Sequence, residues 1–371
     1  MPRSIEELAS PYLKGIIPYS PGKPVEEVER ELGIKRAVKL ASNENPLGPS
    51  PLALQAIRAA LEGINRYPDG GGYYLKQALS RKFDLDPSSF ILGNGSNELI
   101  ELCARCFLRE DDEAIIADPA FIVYQTATQA AGSRPILVRL KDVQHDLPEM
   151  ARRIGPKTKL IFVGNPNNPT GTCVTPQEIA AFMASVPEDV IVLFDEAYFE
   201  YLPAELQPET IRYVVEGRFV LLLRTFSKIY GLAGLRIGYG IAPPDLIGIL
   251  NRARQPFNVN ALAQVGALAA LNDDAHVSMA RRLNEAGKRY LYTKLEEMGI
   301  AYVPTFTNFI LLDVGRNGEA VAQALMQKGV IVRPMGPYQL STHLRVTIGT
   351  PQENERFIHA LKEVLFDRRH E

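Results

Sequence analysis

Long apolar runs are missing from this 371-residue chain. No uninterrupted stretch approaches a membrane span, and the amino terminus, with Glu6 and Glu7 and no apolar h-region, does not read as a signal peptide. A cytoplasmic protein with no membrane partner is the expectation. Charge of one sign is missing too: a formal net charge of −2 argues against nucleic acid or an anionic membrane as the main partner. Three unevenly placed cysteines are too few for a disulfide framework and suit a reducing compartment. Cys103 and Cys106 are spaced as C-x-x-C, but they follow Asn97-Glu98-Leu99-Ile100-Glu101-Leu102, more than a turn into a helical pattern, whereas a redox pair would open a helix. Packing is the reading for both, since no second pair or nearby histidine completes a zinc set. The five histidines are scattered and suggest no triad; His343, beside Arg345, is the one placed to approach a site. Repeats and low-complexity tracts are absent.

What the chain does have is alternation. A first segment of about 45 residues is rich in Pro and Gly, a long alternation of short apolar runs and helical patterns follows, and a carboxyl-terminal part begins near residue 260. Ser50-Pro51 offers an N-cap and a first-turn proline, and Thr175-Pro176-Gln177-Glu178 and Thr350-Pro351-Gln352-Glu353 both fit a capping box. Strands alternating with helices imply an α/β fold with a mostly parallel sheet, and the length allows a large domain and a smaller one.

Three apolar runs end in polar clusters. Lys159-Leu160-Ile161-Phe162-Val163 precedes Asn165-Pro166-Asn167-Asn168-Pro169-Thr170-Gly171, and Val190-Ile191-Val192-Leu193-Phe194 precedes Asp195-Glu196-Ala197-Tyr198. Phe219-Val220-Leu221-Leu222-Leu223 precedes Thr225-Phe226-Ser227-Lys228-Ile229-Tyr230-Gly231, and then Gly234-Leu235-Arg236-Ile237-Gly238-Tyr239. Taken singly, these are a turn, a strand-end cap and a surface lysine. Read as buried parallel strands, their carboxyl ends converge on one crevice, where open α/β sheets hold ligands. An acid, an amide, a phenol and an amine gathered there are what pyridoxal phosphate needs: a carboxylate for its ring nitrogen, hydrogen bonds for its phenolate, a lysine for its aldehyde. A phosphate site is legible as well. Ile91-Leu92 reads as a strand, Gly93 and Gly95 permit a tight turn, and Ser96-Asn97 would supply amides at a helix start. Glu98 occupies the third-glycine position of G-x-G-x-x-G, which disfavours a dinucleotide fold. Ser227 and Arg236 would add a hydroxyl and a charged fork; the bland alternative for Arg236 is a surface ion pair.

In these motifs the chain resembles the fold-type I pyridoxal-phosphate aminotransferases, and within them the histidinol-phosphate aminotransferase family. The resemblance also covers Pro18-Tyr19-Ser20-Pro21-Gly22-Lys23, Leu40-Ala41-Ser42-Asn43-Glu44-Asn45-Pro46-Leu47-Gly48-Pro49, Asn65-Arg66-Tyr67-Pro68-Asp69, Gly93-Asn94-Gly95-Ser96-Asn97-Glu98, Val332-Arg333-Pro334-Met335 and Leu344-Arg345-Val346-Thr347-Ile348-Gly349-Thr350. It implies a large cofactor domain over residues 46 to 260, with residues 261 to 371 and an amino-terminal arm, residues 1 to 45, forming a smaller α+β domain. It implies that Lys228 forms the Schiff base with the cofactor and moves the proton, Asp195 holds the ring nitrogen, and Tyr198 and Asn168 bond the phenolic oxygen. Tyr124, in Pro119-Ala120-Phe121-Ile122-Val123-Tyr124, would stack on the ring. Tyr67 would reach the phosphate from the neighbouring subunit, which implies a homodimer. Arg345 would bind a carboxylate, Arg333 a second anion, and Tyr19 would close over an imidazole or merely anchor the arm. The implied reaction is ping-pong transfer from histidinol phosphate to 2-oxoglutarate, in histidine biosynthesis. Aromatic aminotransferases and threonine-phosphate decarboxylases are similar over much of the same ground, and a non-catalytic ligand sensor is the third alternative, against which intact Lys228, Asp195, Tyr198 and Arg236 argue.

Overall fold

The computed structural model describes residues 4–18 and 22–366; Tyr19 lies outside the described residues. After a short strand, β1 (Val38–Lys39), the chain builds one seven-stranded sheet from β2 (Phe90–Gly93), β3 (Glu113–Asp118), β4 (Arg134–Arg139), β5 (Thr158–Gly164), β6 (Ile191–Asp195), β7 (Val220–Thr225) and β8 (Gly238–Ile241). Their spatial order is β2-β8-β7-β6-β5-β3-β4. The run from β7 to β4 is parallel, and β8 is antiparallel to both β2 and β7. Helices cover both faces, so β6 and β7 are buried at every position, the reason their sequences are continuous apolar runs rather than alternating ones. β5, β6 and β7 are neighbours, which brings their three polar clusters to one end of the sheet.

A second sheet follows. Its strands are β9 (Ala301–Val303), β10 (Phe309–Asp313) and, beyond β11 (Val330–Ile331), β12 (Arg333–Pro334) and β13 (His343–Thr347). The order is β12-β13-β10-β9, antiparallel throughout, while β11 pairs in parallel with β1. The expected helix starts form as read: Ser50 Oγ accepts from the Ala53 N–H, and the Thr175–Glu178 and Thr350–Glu353 boxes close in both directions. Cys103 is buried inside the helix Ser96–Phe107, with Cys106 half-buried beside it.

The division between the two cores falls later than residue 260. Helix Ala261–Ala270 lies against helix Pro51–Ala60, and Ala263, Ala267 and Ala270 belong to the core of the large sheet. Its small side chains permit that close approach. The long helix Asp274–Glu297 then gives Ala280 to the first core and Leu291 and Leu295 to the second, so it spans both units. The arm divides as well. Leu40 joins the second core through the β1–β11 pair, but the turn Pro11–Leu13 rests on helix Ile122–Ala130 of the large unit.

The loop that carries Lys228 is fixed by a close backbone approach. Gly231 has φ +70°, and a Cβ on it would stand 2.1 Å from the Gly48 carbonyl oxygen; one turn earlier, the Asn45 side chain donates to the Ile229 carbonyl at 2.7 Å. Gly231→Ala is expected to destabilise the chain by about 3 kcal/mol or more, because both the backbone conformation and the contact must yield. Gly234→Ala, which meets open space, should stay within about 0.5 kcal/mol of the parent. Urea unfolding of both variants is the measurement, and equal midpoints would remove the close approach as a constraint.

Candidate active site

At the carboxyl ends of β5, β6 and β7 lies a cavity of about 270 Å3, which brings together Ser96, Asn97, Tyr124, Asn168, Asp195, Tyr198, Ser227, Lys228 and Arg236, and adds Phe121. Asp195 is the last residue of β6. Burial pushes its carboxyl above the usual range, opposed by the Tyr124 hydroxyl, which donates to Oδ2 at 2.8 Å, by the Ala197 N–H on Oδ1 at 3.2 Å, and by nearby Lys228. The neighbouring Glu196 is buried on the other side of the strand end and accepts from Arg224 Nε and Nη2, each at 2.9 Å, and from the Thr210 hydroxyl. That pair ties β6 to β7 directly behind the cavity.

The Tyr124 bond gives this residue, for which stacking is the expectation, a contact of another kind. Its ring is 2% exposed, lies flat against Phe162 with centroids 5.0 Å apart, and meets Phe121 edge-on, so the residue props Asp195 rather than offering a free face. Phe121, half-buried at the N-cap of helix Ile122–Ala130, is the aromatic ring that lines the cavity as an open surface.

Burial lowers the Lys228 amine to about 8, with Arg345 and Arg236 acting in the same direction and Glu44 and Asp195 against it. Its Nζ stands 5.6 Å from the centre of the Tyr198 ring. Burial raises the Tyr198 hydroxyl to about 12, so it keeps its proton at neutral pH.

The opposite end of the cavity suits an anion. Gly95, φ +77°, precedes the helix Ser96–Phe107, whose first turn has no side-chain cap. A Cβ on Gly95 would stand 2.5 Å from Arg236 Nη2, so glycine is what lets the guanidinium lie across the helix start. Arg236 also donates to the Ala233 carbonyl at 2.9 Å and approaches the Ser227 hydroxyl at 3.5 Å. Uncapped amides, a hydroxyl and a guanidinium form a phosphate-type site.

The smaller unit closes the other side. Arg345 Nη1 donates to Asn168 Oδ1 at 2.7 Å and Nη2 to the Ala41 carbonyl at 2.9 Å, while its buried Nε has no partner among the described residues. Arg333 stands directly opposite Arg345 in the β12–β13 register. Asn43, quoted within a motif but assigned no role, donates from Nδ2 to the Tyr198 hydroxyl at 2.8 Å. Its signal was its residue type, since asparagine tolerates the left-handed backbone, φ 57°, found there. His145 was also missed: its Nε2 bonds the Gly164 carbonyl at 2.7 Å at the end of β5, and burial lowers the ring to about 4. His343 is not brought into the cavity; it approaches the Thr342 hydroxyl at 3.2 Å, opposite Asp313. Tyr67 lies outside as well, 82% exposed and stacked on Phe257 with centroids 4.7 Å apart. Among the described residues no cluster suits a metal ion, and no helix is long and apolar enough to cross a membrane.

The sequence model described as Aminotransferase class I and II matches residues 35–361. The chain belongs to this family. Among its relatives, the histidinol-phosphate aminotransferase of Moorella thermoacetica is 53% identical over 94% of this chain and 91% of that protein, and histidinol-phosphate aminotransferase 1 of Nitrosococcus oceani is 46% identical over 97% of each. A crystal structure of histidinol-phosphate aminotransferase from Sinorhizobium meliloti, in complex with pyridoxal-5'-phosphate, superposes with a TM-score of 0.89 at 27% identity, covering 97% of this chain and 98% of that one. The fold of this aminotransferase is therefore fold-type I.

In this aminotransferase the lowered Lys228 amine gives a pH signature. A charge that burial disfavours is a cost fully present below about pH 8, and it disappears as pH rises toward the unfolded value near 10.5, so neutral amine accumulates through pH 8. Reductive methylation of the cofactor-free chain, followed by peptide mass spectrometry, should label Lys228 about fivefold faster at pH 8 than at pH 7 and then level off above pH 8, while exposed lysines keep rising about tenfold per pH unit. A Lys228 rate that goes on rising about tenfold per unit beyond pH 8, in step with the surface lysines, would contradict the shift.

Proposed function

We propose that this chain is a pyridoxal-phosphate-dependent aminotransferase that takes an amino group from histidinol phosphate and delivers it to 2-oxoglutarate, as a cytoplasmic step of histidine biosynthesis. The observation that carries the reading is the single cavity in which Lys228, Asp195 and Arg236 hold an amine, a carboxylate and an anion fork. The fit to the cofactor is supported by the space that Gly95 leaves for Arg236 and by the uncapped amides of Ser96 and Asn97. When bound, pyridoxal phosphate supplies an aldehyde for an amine and a ring that draws electrons from the adjoining carbon.

The chain's residues do the rest. Arg236, Ser227 and the helix start hold the phosphate. Asp195, propped by Tyr124, keeps a proton on the ring nitrogen, and the Phe121 ring covers one face of the cofactor. Tyr198 and the Asn168 amide donate to the phenolic oxygen. Lys228, released as a neutral amine, takes the proton from the substrate's Cα and returns one to the cofactor's C4′. Arg345 and Arg333 form one anion-binding wall, serving the phosphate of histidinol phosphate in one half-reaction and a carboxylate of glutamate or 2-oxoglutarate in the other.

The test is a panel of donors, assayed with 2-oxoglutarate while cofactor absorbance is followed. Histidinol phosphate should exceed phenylalanine and tyrosine at least tenfold in kcat/KM, the discrimination expected when one donor brings a phosphate dianion to two guanidinium groups and the others bring a single carboxylate. Preference for an aromatic donor, or carbon dioxide release without need of an oxo acid, would overturn the substrate assignment.

We further propose a homodimer in which Tyr67 reaches the cofactor phosphate of the second subunit. The reading is supported by four exposed aromatic side chains, Tyr67 stacked on Phe257 and Tyr73 edge-on to Tyr74, of the kind that line protein–protein contacts. A mixed dimer of one wild-type chain and one chain that carries both Tyr67→Phe and Lys228→Ala decides it. Its lysine-bearing site faces the phenylalanine, so its cofactor affinity should fall by about 1 to 3 kcal/mol. Wild-type affinity there would mean that the tyrosine acts in its own chain or not at all.

A further inference from the structure

Tyr198 belongs to the large unit, but the hydrogen bond that fixes its hydroxyl comes from the smaller one. Asn43 Nδ2 donates to the Tyr198 oxygen at 2.8 Å. Asn43 is held in turn by the second sheet: its backbone N–H donates to Thr347 Oγ1 at 2.9 Å, its carbonyl accepts from Asn308 Nδ2 at 2.9 Å, and the Leu40 carbonyl accepts from the Thr347 N–H at 2.8 Å. The residue is 2% exposed.

Thr347 also sets which way the amide faces. Its Oγ1 accepts from the Asn43 N–H and turns its own proton toward Asn43 Oδ1, 3.4 Å away. The amide oxygen therefore faces Thr347 and the nitrogen faces Tyr198. A phenol has one proton, and a phenol that accepts from an amide still has that proton to give. Tyr198 lines the cavity, so the proton goes there. Asn168 is treated alike from the same strand: Arg345, two residues from Thr347 and on the same face of β13, takes its Oδ1 and leaves its Nδ2 to donate.

We propose that Asn43 is a positioning residue: clamped by Thr347 of β13, it directs the Tyr198 proton into the cavity, so that the smaller unit orients the hydrogen bond given to the cofactor's phenolic oxygen. This rests on the aminotransferase reading above, which sets Tyr198 against that oxygen. The other titratable groups facing Tyr198 are Asp195 at the end of β6, Lys228 after β7, Arg345 on β13, Tyr338 in the turn Gly336–Tyr338, Tyr124 on helix Ile122–Ala130, and Tyr201. None of them is altered in the test.

The test is a pH titration of the cofactor's absorbance band in the holoenzyme. A donor on the phenolic oxygen favours the deprotonated chromophore, so losing it raises the midpoint. Asn43→Asp keeps the size and the tolerance of a left-handed backbone but offers only acceptors, so Tyr198 should turn its proton away from the cavity. The midpoint should rise by about one pH unit, in the direction of Tyr198→Phe. In the Tyr198→Phe background the same substitution should add little, because there is no proton left to direct; a shift of equal size in both backgrounds is the signature of through-space charge and overturns the proposal. So does a wild-type midpoint in Asn43→Asp. Should Asn43→Asp not fold, Thr347→Val is expected to raise the midpoint and Thr347→Ser to restore it, and a Thr347→Val midpoint equal to wild type is equally fatal. If Tyr198→Phe leaves the midpoint unchanged, the failure lies instead in the reading that sets Tyr198 at the oxygen.

Discussion

Two adjacent carboxylates at the end of β6 have to be buried, and most of the arrangement around the cavity follows from how each is compensated. Glu196 is 0% exposed and its charge is met in full, by Arg224 and the Thr210 hydroxyl. Taking one partner away from such a pair typically costs about 3 to 5 kcal/mol, because an uncompensated charge is left inside. Asp195 is met only in part. It has a phenol and one backbone N–H, with Lys228 nearby as an opposite charge, and burial still dominates its carboxyl. The first acid is closed and structural; the second retains capacity for one more cationic partner. Neighbours in sequence thus acquire opposite roles from what stands against each.

The same asymmetry runs through the contacts between the two units. Gly171, at the end of the loop after β5, has its carbonyl bonded by the Phe306 N–H at 2.7 Å, and a Cβ on it would stand 2.2 Å from Thr305 Oγ1. A few residues away the bonds run to groups that line the cavity, Arg345 to Asn168 and Asn43 to Tyr198. The large sheet supplies the groups and the smaller sheet supplies their orientation. A polar side chain buried beside a cavity has more than one hydrogen-bond arrangement open to it, and only a partner on a second, rigid element selects one.

Local signals carried most of what the sequence made legible. The ends of β5, β6 and β7 were readable because continuous apolar runs stop sharply at Asn, Asp and Thr clusters, and the capping boxes were readable because their bonds join residues three apart. An alanine-rich helix carries no sign in its sequence of which core it joins; Gly266 meets Ile57 and Leu235 only once the chain is folded. Phe121 and Tyr124 are hard to tell apart in the sequence for a related reason. Both are aromatic and three residues apart on one helical turn, and which one meets Asp195 depends on how that helix sits over β5, a matter of tertiary packing. Asn43 acts across 155 positions in sequence on Tyr198, a distance no spacing argument reaches.

Arg333 and Arg345 are the remaining tension. Cross-strand partners of like charge oppose each other, yet here two guanidinium groups occupy directly opposed positions on β12 and β13. Arg345 is stabilised by Asn168, the Ala41 carbonyl and the face of Phe309 5.3 Å from its Cζ, but none of these carries a negative charge. Its buried Nε is without a partner among the described residues, and a buried donor left unmade is expensive, about 1 to 3 kcal/mol. An anion placed there would satisfy that donor and both positive charges, which no neutral group of the same shape could do. Because Arg345 also holds the amide of Asn168, whatever engages its Nε would bear on how that amide is turned toward the cavity: the two are joined through one guanidinium.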